Sequence, residues 1–371
     1  MNSGGARAVV AGGPPDAPAV GTPGGREPAR EARGYRRLAP GDRVAVVAPS
    51  GPAEPARLEA GCAVLRDLGL DVVVGKHALD RVNLGPAGPV RGDWHRLAGA
   101  DADRAADLQA AWCDPRVRAV VCARGGYGAT RVLDHLDWDA LRAATEASLA
   151  SGGPKILHGS SDVTALHCAF GTRLRVTTSF GPMPAGVIAD LDPAAPDDSL
   201  ESLRAALFGG AVTLPGTHTL RPGRAEGPLT GGTLSLLTAL LGTPYAPPPA
   251  AGRVVFLEDV TEAPYRVDRM LVQLLQSGWF DGAAGVALGT WKDCGDPAEL
   301  DAVFTARLGP LGVPVLAGLP AGHGPRQHTL ELGAPAVLHA PAPPGHDPAD
   351  PHPAVPETGA LTLEAPPGGA R

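Results

Sequence analysis

Aromatic residues make up only 4% of this chain, so its core must be packed from Ala, Val and Leu rather than from rings. An apolar fraction of 44% over 371 residues still allows a full core and two domains of ordinary size. No apolar run approaches the ~20 residues that a membrane-spanning helix needs, so no membrane partner is expected. Ala6 to Val10 is too short for a signal peptide and is interrupted by Arg7. The Arg36-Arg37 pair precedes Val44 to Ala48, a run that ends in Pro49-Ser50-Gly51 and reads as a first strand rather than an export signal. Basic blocks are missing too. With 32 Lys+Arg against 39 Asp+Glu the formal net charge is −7, and no nucleic acid is expected as a partner. Five cysteines, Cys62, Cys113, Cys122, Cys168 and Cys294, are scattered and include no C-x-x-C pair. That excludes a zinc knuckle and a disulfide framework and suits a thiol-reduced, cytoplasmic setting.

What is abundant is Gly, 50 residues, and Pro, 40 residues. Much of both lies in Met1 to about Arg33 and in Pro341 to about Glu357. These stretches have little to bury against the entropy of ordering them, and are expected to be an N-terminal extension (1–34) and a Pro-rich insert (341–357). A short tail at 365–371 follows.

Between these stretches strands and helices alternate. Val44 to Ala48 reads as a buried strand, and Asp71 to Val74, Ala119 to Cys122 and Lys155 to Leu157 read as further strands. Helices are expected over Pro55 to Leu68, over Asp101 to Cys113 with Asp101 as its N-cap, and from Ala129. Apolar strands without alternation, separated by helices, predict a parallel sheet covered on both faces. The fold class is therefore α/β, with an N-terminal parallel-sheet domain over 35–210 and a C-terminal mixed α/β domain over 211–364. In the second, Arg253 to Asp259 reads as a strand. Pro264 to Ser277 is an amphipathic helix, and Gly285 to Gly289 and Pro314 to Ala317 are further strands. Leu330 to Leu332, Pro335 to His339 and Leu361 to Leu363 suggest a terminal hairpin.

Several residues carry candidate chemistry. Ser161 stands in His158-Gly159-Ser160-Ser161-Asp162-Val163, where an apolar strand meets a helical pattern. Such a turn lifts a hydroxyl above the sheet edge and aims backbone N–H groups at the same spot, although the same Ser-Asp pair also suits a helix cap. Arg124-Gly125-Gly126-Tyr127-Gly128 lacks the third glycine of a dinucleotide turn, since Arg131 stands there, and suits close approach to a reacting carbonyl or a plain tight turn. Glu258 closes an apolar strand, where it can orient a histidine or simply precede the helix at Pro264. His323 sits between Gly322 and Gly324, and His328 is near enough to raise the question of a metal pair, but no carboxylate spacing supports one. His158 is expected inside a strand and His167 on a helix surface.

In order along the chain, Ala48-Pro49-Ser50-Gly51, Arg124-Gly125-Gly126-Tyr127-Gly128, Gly159-Ser160-Ser161-Asp162-x-Thr164-Ala165-Leu166, Gly231-Gly232-x-Leu234-Ser235-Leu236-Leu237, Phe256-Leu257-Glu258-Asp259 with Tyr265-x-x-Asp268-Arg269, and Gly322-His323 resemble the LD-carboxypeptidase family. That family also includes the microcin C self-immunity peptidases. The resemblance spans about Leu38 to Glu364. It implies a serine peptidase with a Ser161–Glu258–His323 triad in the cleft between two domains, needing neither metal nor cofactor. The oxyanion donors would be the N–H groups of Asp162 and Gly126. The implied substrate is a small peptide, the murein tetrapeptide, cut between the L-centre of meso-diaminopimelate and a terminal D-Ala. The resemblance also implies a cytoplasmic homodimer.

Arg124, Tyr127 and Thr233 are the substrate contacts it suggests, and Arg124 or Arg269 the cation for a terminal carboxylate. Ser160, Thr233 and Phe180 depart from the family's usual residues around the substrate, which leaves open an immunity-type amidase acting on an aminoacyl-nucleotide, with Trp291 as a stacking candidate. A catalytically inactive ligand-binding homologue is a further alternative.

Overall fold

The computed structural model describes residues 32–83, 96–195, 197–342 and 358–363. The expected tail, most of the Pro-rich insert and all but the end of the N-terminal extension lie outside the described residues. Arg33, counted at the edge of that extension, is held in place. Its N–H donates to Arg175 O at 2.8 Å, its carbonyl accepts from Thr177 N at 2.9 Å, and its guanidinium meets Glu146 at 2.7 Å.

The first sheet takes β1 (Arg43–Val47), β2 (Asp71–Val74), a small separate ladder of β3 (Val82–Asn83) and β4 (Arg96–Leu97) following in the chain, then β5 (Val117–Cys122), β6 (Ile156–Gly159) and β7 (Thr178–Phe180). The second takes β8 (Val212–Pro215), β9 (His218–Arg221), β10 (Gly223–Thr233), β11 (Val254–Val260), β12 (Gly285–Lys292), β13 (Val315–Ala317) and, after β14 (Leu330–Leu332), β15 (Pro335–Ala340) and β16 (Ala360–Leu363). The orders are β14-β7-β6-β5-β1-β2 and β8-β16-β15-β10-β11-β12-β13-β9. Strands β2, β1, β5, β6 and β7 run parallel, as do β10 to β13. Val44, Val46 and Val47 of β1 are all buried, the unalternated burial of a strand with helices on both faces.

The helices are α1 (Pro55–Asp67), α2 (Asp101–Cys113), α3 (Ala129–Val132), α4 (Trp138–Leu149), α5 (Thr164–Arg173), α6 (Asp198–Phe208), α7 (Leu234–Leu240), α8 (Pro264–Gln276) and α9 (Pro297–Leu308). In α8 the buried Val267, Leu271 and Leu274 recur on one face, as the periodicity predicts. Asp101 is not the cap of α2. Ala100 holds that position, and the Asp101 carboxylate serves Arg104 and Arg131 instead. The expected terminal hairpin is corrected in one arm. β15 and β16 do pair antiparallel, but Leu330–Leu332 crosses to the first sheet and pairs with β7. Leu330 and Leu332 bury beside Phe180 and Phe256, and Glu331 meets Arg37 at 2.7 Å, so the strand has partners there that a hairpin would not supply.

An apolar cluster joins the two sheets. Leu157, Val163, Leu166 and Phe170 pack with Leu234, Leu237, Val255 and Leu257, so α5 and α7 share one core. Burial of each such side chain is worth about 1.5–3 kcal/mol.

Candidate active site

The C-terminal ends of β1, β5 and β6, three adjacent parallel strands, deliver three loops to one edge, where α/β sheets place their ligands. The loop after β6 makes the sharpest turn. Ser160 is extended, Ser161 has φ +62°, and a helical turn follows at once. A serine in left-handed backbone carries strain on the order of 1–2 kcal/mol, which surrounding structure must hold. Ser161 is half-buried, whereas Ser160 is buried.

Gly125 fits against this turn so tightly that a Cβ there would lie 2.8 Å from Ser161 Cβ and 3.0 Å from its Oγ. Gly51 N donates to Gly125 O at 3.1 Å, tying the first loop to the second. The buried Asp162 carboxylate accepts from Ala129 N at 2.7 Å, and burial raises its pKa above the ordinary carboxylate value despite the nearby Arg104 charge. Arg104 is itself buried and donates to Gly128 O at 2.9 Å, to Pro49 O and to the Asp101 carboxylate. Asp162 and Arg104 therefore pin the glycine loop from below. Neither role was legible in the sequence, although a charged residue inside an otherwise apolar helical face, as Arg104 is, marks a buried partner.

The second sheet offers a matching edge. Glu258 and Asp259 close β11, where the pairing with β12 shifts register opposite Gly289 and Thr290. Such a bulge re-aims side chains. Adjacent strand residues face opposite ways, and here both acids are buried with different duties. Asp259 accepts from Ser235 N at 2.8 Å at the start of α7, and burial raises its pKa to about 6. Glu258 Oε2 meets His323 Nδ1 at 2.6 Å and also accepts from His323 N at 3.2 Å. Burial lowers the His323 pKa, but the hydrogen bond and charge of Glu258 outweigh it, and the net shift is upward. A Cβ on Gly322, at φ +112°, would stand 2.5 Å from Glu258 Oε2, so only glycine leaves room for this pair.

Thr233 links the two edges. Its hydroxyl donates to Glu258 Oε1, with a weaker approach to Ser161 O at 3.4 Å. Its N–H donates to Thr164 Oγ1 at 3.1 Å, on the helix that follows the elbow. Gly231 and Gly232, both at positive φ, permit this contact, since a Cβ on either would strike Phe256 O or Thr164. Ser161, Thr233, Glu258 and His323 thus form one connected group.

Other expected residues fall as follows. Gly126, Arg124 and Tyr127 line a cavity of about 410 Å³ beside the glycine loop. His323, Thr290, Trp291 and Lys292 line another of about 730 Å³. Trp291 packs on Phe304 with ring centroids 4.7 Å apart. Arg269 lies over the ring of the exposed Tyr265, at 5.8 Å, and lines neither cavity. His158 is buried in its strand as expected, bonded to Ser179 and Pro182 O. His167 is not on a helix surface. It is buried, with Nε2 2.9 Å from Gly159 O, because α5 is covered all round by the shared core. Among the described residues no three His, Cys, Asp or Glu side chains gather as a metal ion would require.

Thr233 thus joins a carboxylate-bound imidazole to the backbone carbonyl of a strained elbow serine. The chain matches the LD-carboxypeptidase N-terminal domain over residues 44–181 and the LD-carboxypeptidase C-terminal domain over residues 226–338, and it belongs to the LD-carboxypeptidase family. It is 49% identical to a putative carboxypeptidase of Streptomyces coelicolor over 89% of this chain and 96% of that protein. With the murein tetrapeptide carboxypeptidase of Pseudomonas aeruginosa it shares 34% identity over 80% of this chain and 92% of that one. Among solved structures, the muramoyltetrapeptide carboxypeptidase of Oxalobacter formigenes superposes with a TM-score of 0.67 at 25% identity, covering 87% of this chain and 98% of the other. An MccF-like protein of Bacillus anthracis shares the fold, with a TM-score of 0.73 at 20% identity over 90% and 99% of the two chains. Among the described residues no helix is long and apolar enough to cross a membrane.

Proposed function

We propose that this chain is a serine-type LD-carboxypeptidase that removes the terminal D-Ala from murein tetrapeptides, using Ser161 as nucleophile, His323 as base and Glu258 as the residue that orients it. The observation that carries the reading is the 2.6 Å contact between His323 Nδ1 and Glu258 Oε2 in a group that also holds Ser161 at φ +62°. With Nδ1–H given to the carboxylate, Nε2 keeps the lone pair that takes the Ser161 proton as the hydroxyl attacks the carbonyl. The same nitrogen returns the proton to the leaving amine, and water then hydrolyses the acyl-enzyme. Glu258 stabilises the imidazolium between these steps. The N–H groups of Asp162 and Gly126 take the developing oxyanion, and loss of one such donor costs about 3 kcal/mol of transition-state stabilisation. Thr233 holds Glu258 in register with the elbow.

In this reading residues 35–210 form the nucleophile domain and 211–364 the acid–base domain, with the site in the cleft between them. The enzyme works in the cytoplasm as a homodimer. Its relatives include murein peptide carboxypeptidases, which favours this substrate. A second reading, hydrolysis of an aminoacyl-nucleotide, is favoured by the larger cavity at His323, lined also by Trp291 and Lys292.

Incubation with murein tetrapeptide and, separately, with an aminoacyl-sulfamoyl adenosine, followed by mass spectrometry, decides between them. Release of D-Ala that survives dialysis against EDTA is expected. Turnover of the nucleotide alone overturns the first reading in favour of the second, and loss of activity on chelation overturns the metal-free mechanism.

A further inference from the structure

Glu258 holds one edge of the His323 ring and the His323 backbone N–H, and both bonds reach a single carboxylate oxygen. An imidazole held only there keeps the freedom to swing about that oxygen, so the place of its Nε2 depends on the loop that carries the ring. That loop is Gly322-His323-Gly324, and glycine is the residue least able to fix a backbone by itself. The restraint comes from the neighbouring strand. β12 sets two residues, Gly289 and Thr290, opposite the single Glu258 of β11. Thr290 N donates to Ala321 O at 2.9 Å, and Thr290 Oγ1 accepts from Gly324 N at 3.0 Å. One residue therefore fastens the loop on both sides of His323.

The packing is as close as the bonding. A Cβ on Gly322 would lie 2.7 Å from Thr290 Oγ1, and one on Gly324 would lie 2.7 Å from Thr290 Cγ2. On the strand itself, a Cβ on Gly289 would lie 2.4 Å from Ala321 O, so glycine there lets the loop settle onto β12. The successive N–H groups of His323 and Gly324 thus go to side chains on adjacent strands, Glu258 and Thr290. Threonine suits this place, because its branched Cβ leaves few rotamers and keeps the hydroxyl where the loop meets it. Farther along the chain, beyond Pro325, the same segment is tied to α6: Gln327 N donates to Ser199 Oγ at 3.0 Å and Thr329 N to Ser202 Oγ at 2.8 Å. Those bonds guide the chain toward β14 and do not adjoin the imidazole.

We infer that Thr290 is a positioning residue for the reaction: its hydroxyl fixes the glycine-flanked loop so that His323 Nε2 keeps its place while Glu258 holds Nδ1. The inference rests on the hydrolase reading above and adds a residue that acts through the base without touching the substrate. Misplacement of a reacting group by about 1 Å is enough to slow catalysis severely, so a loop of this composition needs such a fastening.

The test uses the full-length protein on murein tetrapeptide, or on the aminoacyl-sulfamoyl adenosine should that be the compound turned over, below the melting temperature of every variant. Thr290→Ala and Thr290→Ser both lose the methyl group beside Gly324 and differ only in the hydroxyl. Thr290→Ala should lower kcat by ~10-fold with KM changed by less than ~2-fold, whereas Thr290→Ser should stay within ~3-fold of wild type in both. Ser202→Ala removes a bond of the same kind farther along the segment, and should lower the melting temperature while leaving kcat within ~2-fold. Equal kcat in the alanine and serine variants overturns the inference. So does a loss that falls on KM, which would make Thr290 a substrate contact, or a fall in Ser202→Ala as large as that in Thr290→Ala. Full turnover by Ser161→Ala would instead remove the hydrolase reading on which the inference rests.

Discussion

Ser161 and Glu258 each stand at the C-terminal end of a buried parallel strand, yet the molecule holds them by opposite means. Ser161 is placed by backbone: a left-handed φ and a glycine loop so close that a Cβ on Gly125 would lie 3.0 Å from its hydroxyl oxygen. Glu258 is placed by hydrogen bonds to its carboxylate, from the Thr233 hydroxyl on one oxygen and from the His323 ring and backbone N–H on the other. The difference follows from chemistry. In the proposed mechanism Ser161 is the nucleophile, which must stay exposed and bond-free enough to attack, so its surroundings must be shaped rather than bonded. A fully buried carboxylate is costly unless hydrogen bonds surround it, so its surroundings must be polar and close.

Substitutions can break each half separately. The largest effect is expected from Ser161→Ala, a loss of ~10⁴-fold or more in kcat with the melting temperature little changed, checked by steady-state assay and calorimetry. Its neighbour supplies the control. Ser160→Ala should change activity by less than ~3-fold, and reversal of the two would shift the elbow by one residue. Next comes Glu258→Gln, with kcat lower by ~10²–10⁴-fold. Because Glu258 outweighs the burial that lowers the His323 pKa, its removal should move the acid limb of the kcat/KM profile to lower pH. An unmoved limb would mean that another group is the titrating base. Gly125→Ala should reduce kcat by ~10²-fold with KM nearly unchanged, because its Cβ would displace the serine rather than the substrate. Smallest is Thr233→Val, a fall of ~10-fold that Thr233→Ser restores, since only the hydroxyl is needed to hold the carboxylate.

The backbone half was the more legible from sequence. Glycines at 125, 126, 231, 232 and 322 announce close approaches, and buried strands such as Val117–Cys122 announce themselves by unbroken apolar runs. The partners of polar side chains were less so. Glu258 could be singled out, but not its bond to Thr233, which joins residues 25 positions apart. Thr290 gave no local sign, because only the fold brings it beside Gly324. α9 was missed although Asp296 and Pro297 carry a cap signal, the Asp296 carboxylate accepting from Ala298 N at 2.8 Å ahead of Pro at the first helical position. Leu330–Leu332 was assigned to the wrong sheet for a general reason: a three-residue apolar strand fits any open edge, and the choice lies in long-range packing.

That short strand has a consequence for the order in which the protein can be made. The ribosome must release Leu332 before the first sheet has its last strand, and His323 emerges long after the serine it would serve. The loop bearing His323 runs from β13 in one sheet to β14 in the other, so this imidazole is carried on a strap whose ends are fastened to different sheets. A nascent chain that has folded only its first 210 residues therefore displays the elbow serine without the Glu258–His323 pair and with an unfinished sheet. The centre can assemble only after His323 has been made, and the late closure of such long-range contacts is where slow folding is to be sought.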